Sequence, residues 1–418
     1  MGERQPPQGE SGRRLVSWKA IAGYLGVSVR TAQKWERERG LPVHRTPGKR
    51  ATVFASAREL DAWAAAGVGE PPAWGGRWKW AGAAVLVFLG AVLLHALYRE
   101  HGADPHSWSF AANTLVIFDA HGVPLWRKSL PPQPANRLHP DAGSHTQVQI
   151  ADLDSDGRSE VVVGYVTDQP PESRVDCYSA DGELRWTFQP GKQVRTPHKE
   201  FSSSFDVRAV AVIPAHPPSV AVASVHAVAF PSEVALLSPD GAVLSEYWHS
   251  GYLTDLAVGD VDGDARPELL AGGVNQAERA AELVVLDPEE MNGCSREPQE
   301  CQLLDLGPPV ERLRLIFPKT CLARRLGNGR NRVSRITLGP ETVAVQVEET
   351  PHRYNLVYRL RRPGLKLSGV EVGSAIPRVH NELYKLGLVD HRWSDRDLKS
   401  LHHLGVIAPR AVLAEPSS

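Results

Sequence analysis

Apolar positions change period several times along the chain. After Ser17, the residues Trp18, Ile21, Ala22 and Leu25 recur at helical spacing, and Ser17 stands where a helix cap belongs. Gly26-Val27 supplies a turn, and Ser28 caps a second segment reaching about Arg39, with Val29, Ala32 and Trp35 set to face the first. The stretch "LPVHRTPGKRATVFA" gives two short extended runs about a "PGK" turn. "SARELDAWAA" then returns to helical spacing, with Ser56 as cap and Leu60 and Trp63 on one face. From about Val116 onward, short strand-like runs alternate with Asp- and Gly-containing turns, through "RLRLIFPKT" and "ETVAVQVEETPHRYNLVYRL". Residues 377–407 read as two short helices.

One run fits neither period. Residues 80–98, "WAGAAVLVFLGAVLLHALY", contain no Asp, Glu, Lys or Arg. About twenty apolar residues at 1.5 Å rise cross a hydrocarbon core of ~30 Å, so a transmembrane helix is expected here. Trp74, Trp78, Trp80 and Tyr98 flank it as an interfacial belt would. The 418-residue chain has a net charge of only −1, but residues 1–79 carry +7 and the remainder −8. Arg77 and Lys79 precede the span, and the positive-inside bias then puts the N-terminus in the cytoplasm and the C-terminal region outside the cell membrane.

The expected fold class is therefore multi-domain. A disordered tail (1–12) leads into a small α(+β) winged helix-turn-helix domain (13–66) and a linker (67–79). One transmembrane helix (80–98) is followed by a mainly-β outer domain (99–376), propeller-like by the resemblance of its repeats, and a short helical C-terminal segment and tail (377–418). The 33 prolines and 36 glycines fit a turn-rich β region.

"SWKAIAGYLGVSVRTAQKWERERGLPV", with the basic hairpin and "ELDAWAA" after it, resembles the winged-helix domain of the MerR and excisionase superfamily. The resemblance covers 13–66. It implies that Arg30, Thr31, Gln33 and Lys34 enter the major groove of double-stranded DNA, while His44, Arg45, Lys49 and Arg50 form a wing on the backbone or minor groove. Arg37 is also placed outward on the second helix. Arg and Gln side chains can read guanine and adenine edges bidentately, and Lys supplies charge to phosphate. One such module offers few contacts, so a dimer or higher assembly on the membrane is expected.

Internal repeats mark the outer region. "VIFDAHGVPLW" (116–126) and "DCYSADGELRW" (176–186) align glycine to glycine and tryptophan to tryptophan, with "ALLSPDGAVLSEYW" (235–248) a looser third copy and "LVVLDPEEMNG" (283–293) a fourth. Two acidic loops accompany them. Asp152, Asp154, Asp156 and Glu160 occupy loop positions 1, 3, 5 and 9, and Asp260, Asp262, Asp264 and Glu268 repeat the spacing 108 residues on. Alternate side chains in a tight loop converge, and the position-7 carbonyls of Arg158 and Arg266 add backbone oxygen. An all-oxygen set in a flexible loop suits Ca²⁺, held structurally. Position 12, where an EF-hand needs Glu, is Val163 or Ala271. The loops instead resemble the FG-GAP/VCBS type of integrin-like β-propellers, over roughly 143–290. Ser155 at position 4 and Ala265 at position 6 depart from the glycines common in that family.

Cys294 and Cys301 are close enough in sequence to form a disulfide outside the membrane. No GxSxG, HExxH, P-loop or kinase signature is present, and no enzyme activity is expected. The order of segments, which resembles ToxR-type regulators in layout, points to a membrane-anchored one-component transcriptional regulator with an outer sensor for an unidentified ligand or protein. The alternative is a membrane-anchored binding or adhesion protein whose N-terminal module is vestigial or binds protein.

Overall fold

In the computed structural model of the protein, the described residues are 13–47, 52–66, 104–111, 113–131, 147–165, 173–326, 329–349 and 354–407. The chain forms two compact units, Met1–Leu97 and Tyr98–Ser418. The expected transmembrane segment, 80–98, lies outside the described residues. Among the described residues no helix is long and apolar enough to cross a membrane.

In the first unit, strand β1 (Arg14–Val16) leads into α1 (Trp18–Tyr24) and α2 (Val29–Arg39). Strands β2 (His44–Arg45) and β3 (Val53–Ser56) precede α3 (Ala57–Ala65), and the sheet order is β1-β3-β2. The caps follow the sequence. Ser17 Oγ accepts from the Ala20 N–H at 3.3 Å and Ser28 Oγ from the Thr31 N–H at 3.1 Å. Gly40, in left-handed conformation, ends α2. Ser56 precedes α3 but makes no side-chain cap bond. Leu15, Ile21, Ala22, Ala32, Leu41, Ala55 and Leu60 make the core, with Trp35 and Trp63 packed against it. Val29 was expected to face α1; it is exposed, because the buried stripe of α2 begins one turn later at Ala32.

The second unit is a series of antiparallel sheets. The first holds β4 (Ser107–Ala111), β5 (Thr114–Phe118) and β6 (Pro124–Ser129). The second holds β7 (Val148–Ala151), β8 (Glu160–Tyr165), β9 (Arg174–Tyr178) and β10 (Leu184–Phe188). A ribbon of β11 (Val194–Arg195) and β12 (Glu200–Phe201) follows. The third sheet holds β13 (Phe205–Ile213), β14 (Ser219–His226), β15 (Ser232–Leu237) and β16 (Val243–His249). The fourth begins with β17 (Tyr252–Gly259), β18 (Glu268–Asn275) and β19 (Ala280–Leu286). The short β20 (Gly293–Cys294) then pairs in parallel with β16 of the third sheet. β21 (Leu313–Ile316) returns to the fourth sheet, and α4 (Cys321–Leu326) follows it. The fifth sheet holds β22 (Asn331–Leu338), β23 (Thr342–Glu349), β24 (Tyr354–Arg361) and β25 (Lys366–Val372). Helices α5 (Ala375–Lys385) and α6 (Asp395–Ser400) close the chain, and β26 (Gly405–Ile407) pairs with β21.

The unit is mainly β, and each sheet buries a face against the next. One apolar cluster joins the first and second sheets, and others join the second to the third, the third to the fourth and the fourth to the fifth. Strands β8, β14, β15, β18 and β19 are buried along their whole length, which suits their largely apolar sequences. The helical end was expected as a separate segment from residue 377. It begins at Ala375, and β26 ties its far end into the fourth sheet.

The Gly/Trp repeat is a joint between sheets. Trp126 Nε1 donates to the Ala180 carbonyl in the hairpin turn of the second sheet, at 2.9 Å. Trp186 Nε1 donates to the Pro239 carbonyl in the corresponding turn of the third, at 2.8 Å. A Cβ on Gly182 would sit 2.8 Å from the Trp126 ring, and one on Gly241 2.7 Å from Trp186. Each tryptophan therefore requires a glycine in the following copy.

Candidate functional site

Both acidic loops connect the first two strands of a sheet, β7 to β8 and β17 to β18. Two backbone positions set their shape. Position 4 (Ser155, φ 62°; Gly263, φ 93°) and position 6 (Gly157, φ 86°; Ala265, φ 67°) are left-handed in both loops. Ser155 and Ala265, the departures from the family pattern, are thus side chains held where glycine is favoured.

Positions 1, 3 and 9 converge. Asp152, Asp154 and Glu160 each offer an oxygen within 4.8 Å of the other two, and so do Asp260, Asp262 and Glu268. Position 5 does not join them. Asp156 accepts from the Arg158 N–H at 2.7 Å and Asp264 from the Arg266 N–H at 2.8 Å, so both serve the turn itself. Side chains of the position-7 arginines also face away, Arg158 to Asp181 and Arg266 to Asp264 and Glu289. Glu160 Oε2 accepts from Leu153 N at 2.9 Å, and Glu268 Oε2 from Val261 N at 2.8 Å. Burial raises the pKa of both glutamates, against these backbone bonds.

A cation is already in each loop. Arg185, on β10, places Nη1 2.7 Å from Asp154 Oδ2 and 2.7 Å from Glu160 Oε1. Arg312, just before β21, places Nη1 3.1 Å from Asp262 Oδ2 and 3.3 Å from Glu268 Oε1, and also pairs with Asp287. The same two loop positions are bridged by a guanidinium in both copies. Neither arginine was singled out from the sequence, since neither belongs to the loop spacing.

The loops differ at position 1. Asp152 Oδ2 accepts from Gly157 N at 3.0 Å, while its Oδ1 is buried with no hydrogen-bond partner. In the second loop Asp260 Oδ1 accepts from Gly263 N and Oδ2 from Ala265 N. Arg362 Nη2 also donates to the Asp260 carbonyl. The orphaned oxygen makes the first loop the better fit to a hard cation.

In the first unit, Arg30, Lys34 and Arg37 lie exposed along α2, with Thr31 and Gln33 half-buried. Arg30 has no ion pair among the described residues. Lys34 pairs loosely with Glu38, 3.8 Å away, and Thr31 Oγ1 is taken up by Ser28 Oγ at 2.7 Å. On the hairpin, Arg45 forms a bidentate pair with Glu36 of α2 at 2.7 and 3.1 Å, and His44 Nε2 lies 2.9 Å from Glu59. Lys49 and Arg50 lie outside the described residues.

No family model matches the chain, and no curated protein matches it. Among solved structures the chain is similar to the Dos1 propeller, with 10% identity over 65% of this chain and 58% of that one, at a TM-score of 0.32. The chain thus spans less than two thirds of that structure's length. It is also similar to a protein of unknown function from Bacteroides caccae, with 10% identity over 65% of this chain and 93% of that one, at a TM-score of 0.27.

The expected Cys294–Cys301 disulfide is not formed. All four cysteines are free. Cys294 instead sits in the short strand β20, where Sγ contacts the Gly307 carbonyl at 3.3 Å and Gln302 Nε2 at 3.4 Å. Closeness in sequence did not bring the two sulfurs together.

Two polar clusters had no linear signal. Arg314, on β21, is 1% exposed and pairs with Glu282 at 2.5 Å, Glu297 at 2.6 Å and Glu311 at 3.5 Å. The other cluster lies among α4, α5 and α6. There Cys321 Sγ is 2.9 Å from His380 Nδ1, and His391 Nε2 is 2.9 Å from Asp397.

Proposed function

We propose that the protein is a membrane-anchored one-component transcriptional regulator. The first unit is a winged helix-turn-helix that binds double-stranded DNA, and the sheet-built second unit is an extracytoplasmic sensor of a ligand or partner protein. The observation that carries this is the α1–turn–α2 pair, capped by Ser17 and Ser28, which leaves Arg30, Lys34 and Arg37 exposed on the second helix. The uncharged run 80–98, which follows the helix-turn-helix residues and precedes the sheets in the sequence, supports the division into two compartments. A dimer on the membrane would double the DNA contacts.

Two assays test this. Residues 1–70, fused to a dimerising coiled coil, are to be titrated with double-stranded DNA. Sequence preference that falls by about 1–3 kcal/mol in Arg30→Ala is expected of a bidentate base contact. Binding no tighter than that of a basic peptide of equal charge refutes the DNA reading. A topology reporter after residue 110 must report the outer side. The Arg45–Glu36 pair favours the second reading, an anchored binding protein, because DNA phosphate must compete for that arginine. Deletion of residues 1–70 that spares transcription but leaves surface binding intact supports that alternative.

For the loops, the reading is a structural Ca²⁺ held by Asp152, Asp154 and Glu160 in the first, with Arg185 giving way. Its chemistry is charge neutralisation that pins β7 to β8. Millimolar Ca²⁺ then raises the melting temperature of the parent and not of Asp152→Asn; a parent indifferent to Ca²⁺ and EDTA removes the metal.

A further inference from the structure

The cluster among the C-terminal helices has the layout of a transition-metal site. His380 Nε2 meets the carbonyl of His391 at 3.0 Å. A carbonyl only accepts, so Nε2 carries the proton and Nδ1 presents its lone pair towards Cys321 Sγ, 2.9 Å away. His391 is held in the same fashion. Its Nδ1 meets Asp390 Oδ1 at 2.7 Å, and its Nε2 turns to Asp397 Oδ1 at 2.9 Å. Asp397 is itself oriented, because Oδ2 accepts from Ser394 N at 2.9 Å in a capping box and leaves Oδ1 free to face inward.

Each imidazole thus has its outer nitrogen fixed by an oxygen acceptor and its inner nitrogen aimed at another ligand-type atom. That pairing of inner and outer partners is how metal-ligating histidines are held. One donor atom from each of His380, His391 and Asp397 lies within 4.8 Å of the other two. Ligands about 2.0–2.3 Å from a tetrahedral ion lie about 3.3–3.8 Å apart, so a small inward movement of these three suffices, while Cys321 Sγ, outside that set but against His380 Nδ1, has further to move. His380 is fully buried, packed edge-on against Trp393 with ring centroids 5.4 Å apart. The donors come from α4 (Cys321), α5 (His380), the segment between α5 and α6 (His391) and α6 itself (Asp397).

We propose that His380, His391 and Asp397 bind a single Zn²⁺, with Cys321 as the fourth ligand after loss of its thiol proton. Mixed nitrogen, sulfur and carboxylate ligation selects Zn²⁺ over the Ca²⁺ suited to the acidic loops. The ion pins the C-terminal helices to α4 beside the fourth and fifth sheets. Deprotonation of Cys321 and displacement of the proton between His391 and Asp397 accompany binding, so occupancy falls on acidification.

The test uses the full-length protein in detergent, incubated with Zn²⁺, dialysed, and analysed for metal by mass spectrometry. About one Zn²⁺ per chain is expected. Co²⁺ in its place is expected to give the intense visible bands of tetrahedral cobalt with a sulfur charge-transfer band. Cys321→Ser removes the charge-transfer band, His391→Ala lowers stoichiometry, and His402→Ala, outside the cluster, leaves both unchanged. Parent protein that retains no Zn²⁺ and gives only the weak spectrum of hydrated Co²⁺ overturns the proposal whatever the variants do. Full metal retention in His391→Ala overturns the ligand assignment.

Discussion

Arg314→Met is expected to be among the most destabilising single changes in the second unit. The guanidinium is buried and all of its edges are engaged. Nε donates to Glu282 Oε1, Nη1 to the Arg296 carbonyl at 2.6 Å, and Nη2 to Glu297 Oε1. Glu311 Oε1 stands 3.5 Å from Nη1 and also accepts from Tyr247 Oη and Arg296 N. Methionine fills much of the volume but leaves three buried carboxylates without their shared cation. Stranding buried charge in this way costs about 3–5 kcal/mol.

The pH dependence separates this account from a simple packing defect. Burial alone would push Glu282 up, but His249 and Arg314 outweigh it and hold its pKa at about 2. In the parent this carboxylate therefore contributes stability that is present above its unfolded pKa, near 4.5, and is lost only as pH falls towards 2. Without Arg314, only His249 is left to oppose burial and the folded-state pKa rises. The variant is then penalised most at neutral pH and recovers, relative to the parent, on acidification towards pH 4. Urea unfolding of parent and variant at pH 4, 5.5 and 7 measures the gap. A loss under about 1 kcal/mol, or a gap that is constant with pH, refutes the reasoning. Adding Glu282→Gln should restore part of the loss at pH 7.

Three further outcomes are expected. Burial, with Glu246 adding to it, raises the Glu233 pKa to about 7, so folding stability declines as pH climbs from about 4.5 through 7. The decline amounts to about 3 kcal/mol, and Glu233→Gln should flatten it in urea midpoints taken between pH 5 and 8. Gly182→Ala should cost about 1–3 kcal/mol, through a left-handed φ and a Cβ driven into Trp126; in a Trp126→Ala background thermal melts should show a smaller loss. Ser155→Gly and Ala265→Gly should each stabilise by about 0.5–1 kcal/mol, since relief of left-handed strain exceeds the added unfolded-state entropy, and an unchanged midpoint would contradict that sign.

Much of the fold was legible because it is written locally. Ser17 and Ser28 announce α1 and α2 from within four residues of the bonds they make. The Gly/Trp repeats announce hairpins, and their joint role follows once Trp126 is seen to reach the next copy of the same motif. Local signals misled where a residue's neighbours in space come from elsewhere. Cys294 lies near Cys301 in sequence, but β20 is drawn into a parallel pairing with β16, and its sulfur faces Gly307. The end of the chain read as free helices because nothing in 405–407 announces the strand that β21 recruits.

The acidic loops show where the same limit falls on the candidate site. Spacing within the loop correctly gathered positions 1, 3 and 9, since alternation over a tight turn is a local property. Position 5 looked equivalent in the sequence but is consumed by the N–H of position 7, a competition that depends on the left-handed residues at positions 4 and 6. The counter-charge could not be read at all. Arg185 comes from a later strand and Arg312 from the residue before one, at different separations from their loops, and only the sheet brings each to the oxygens of positions 3 and 9. The two loops share a motif, a turn and a guanidinium, yet they differ in one atom. Asp152 Oδ1 is buried without a donor, and both Asp260 oxygens are satisfied. If Ca²⁺ enters, the first loop gains a partner for an oxygen that lacks one. The second loop would have to surrender two backbone bonds as well as its arginine, so the first should fill at lower Ca²⁺.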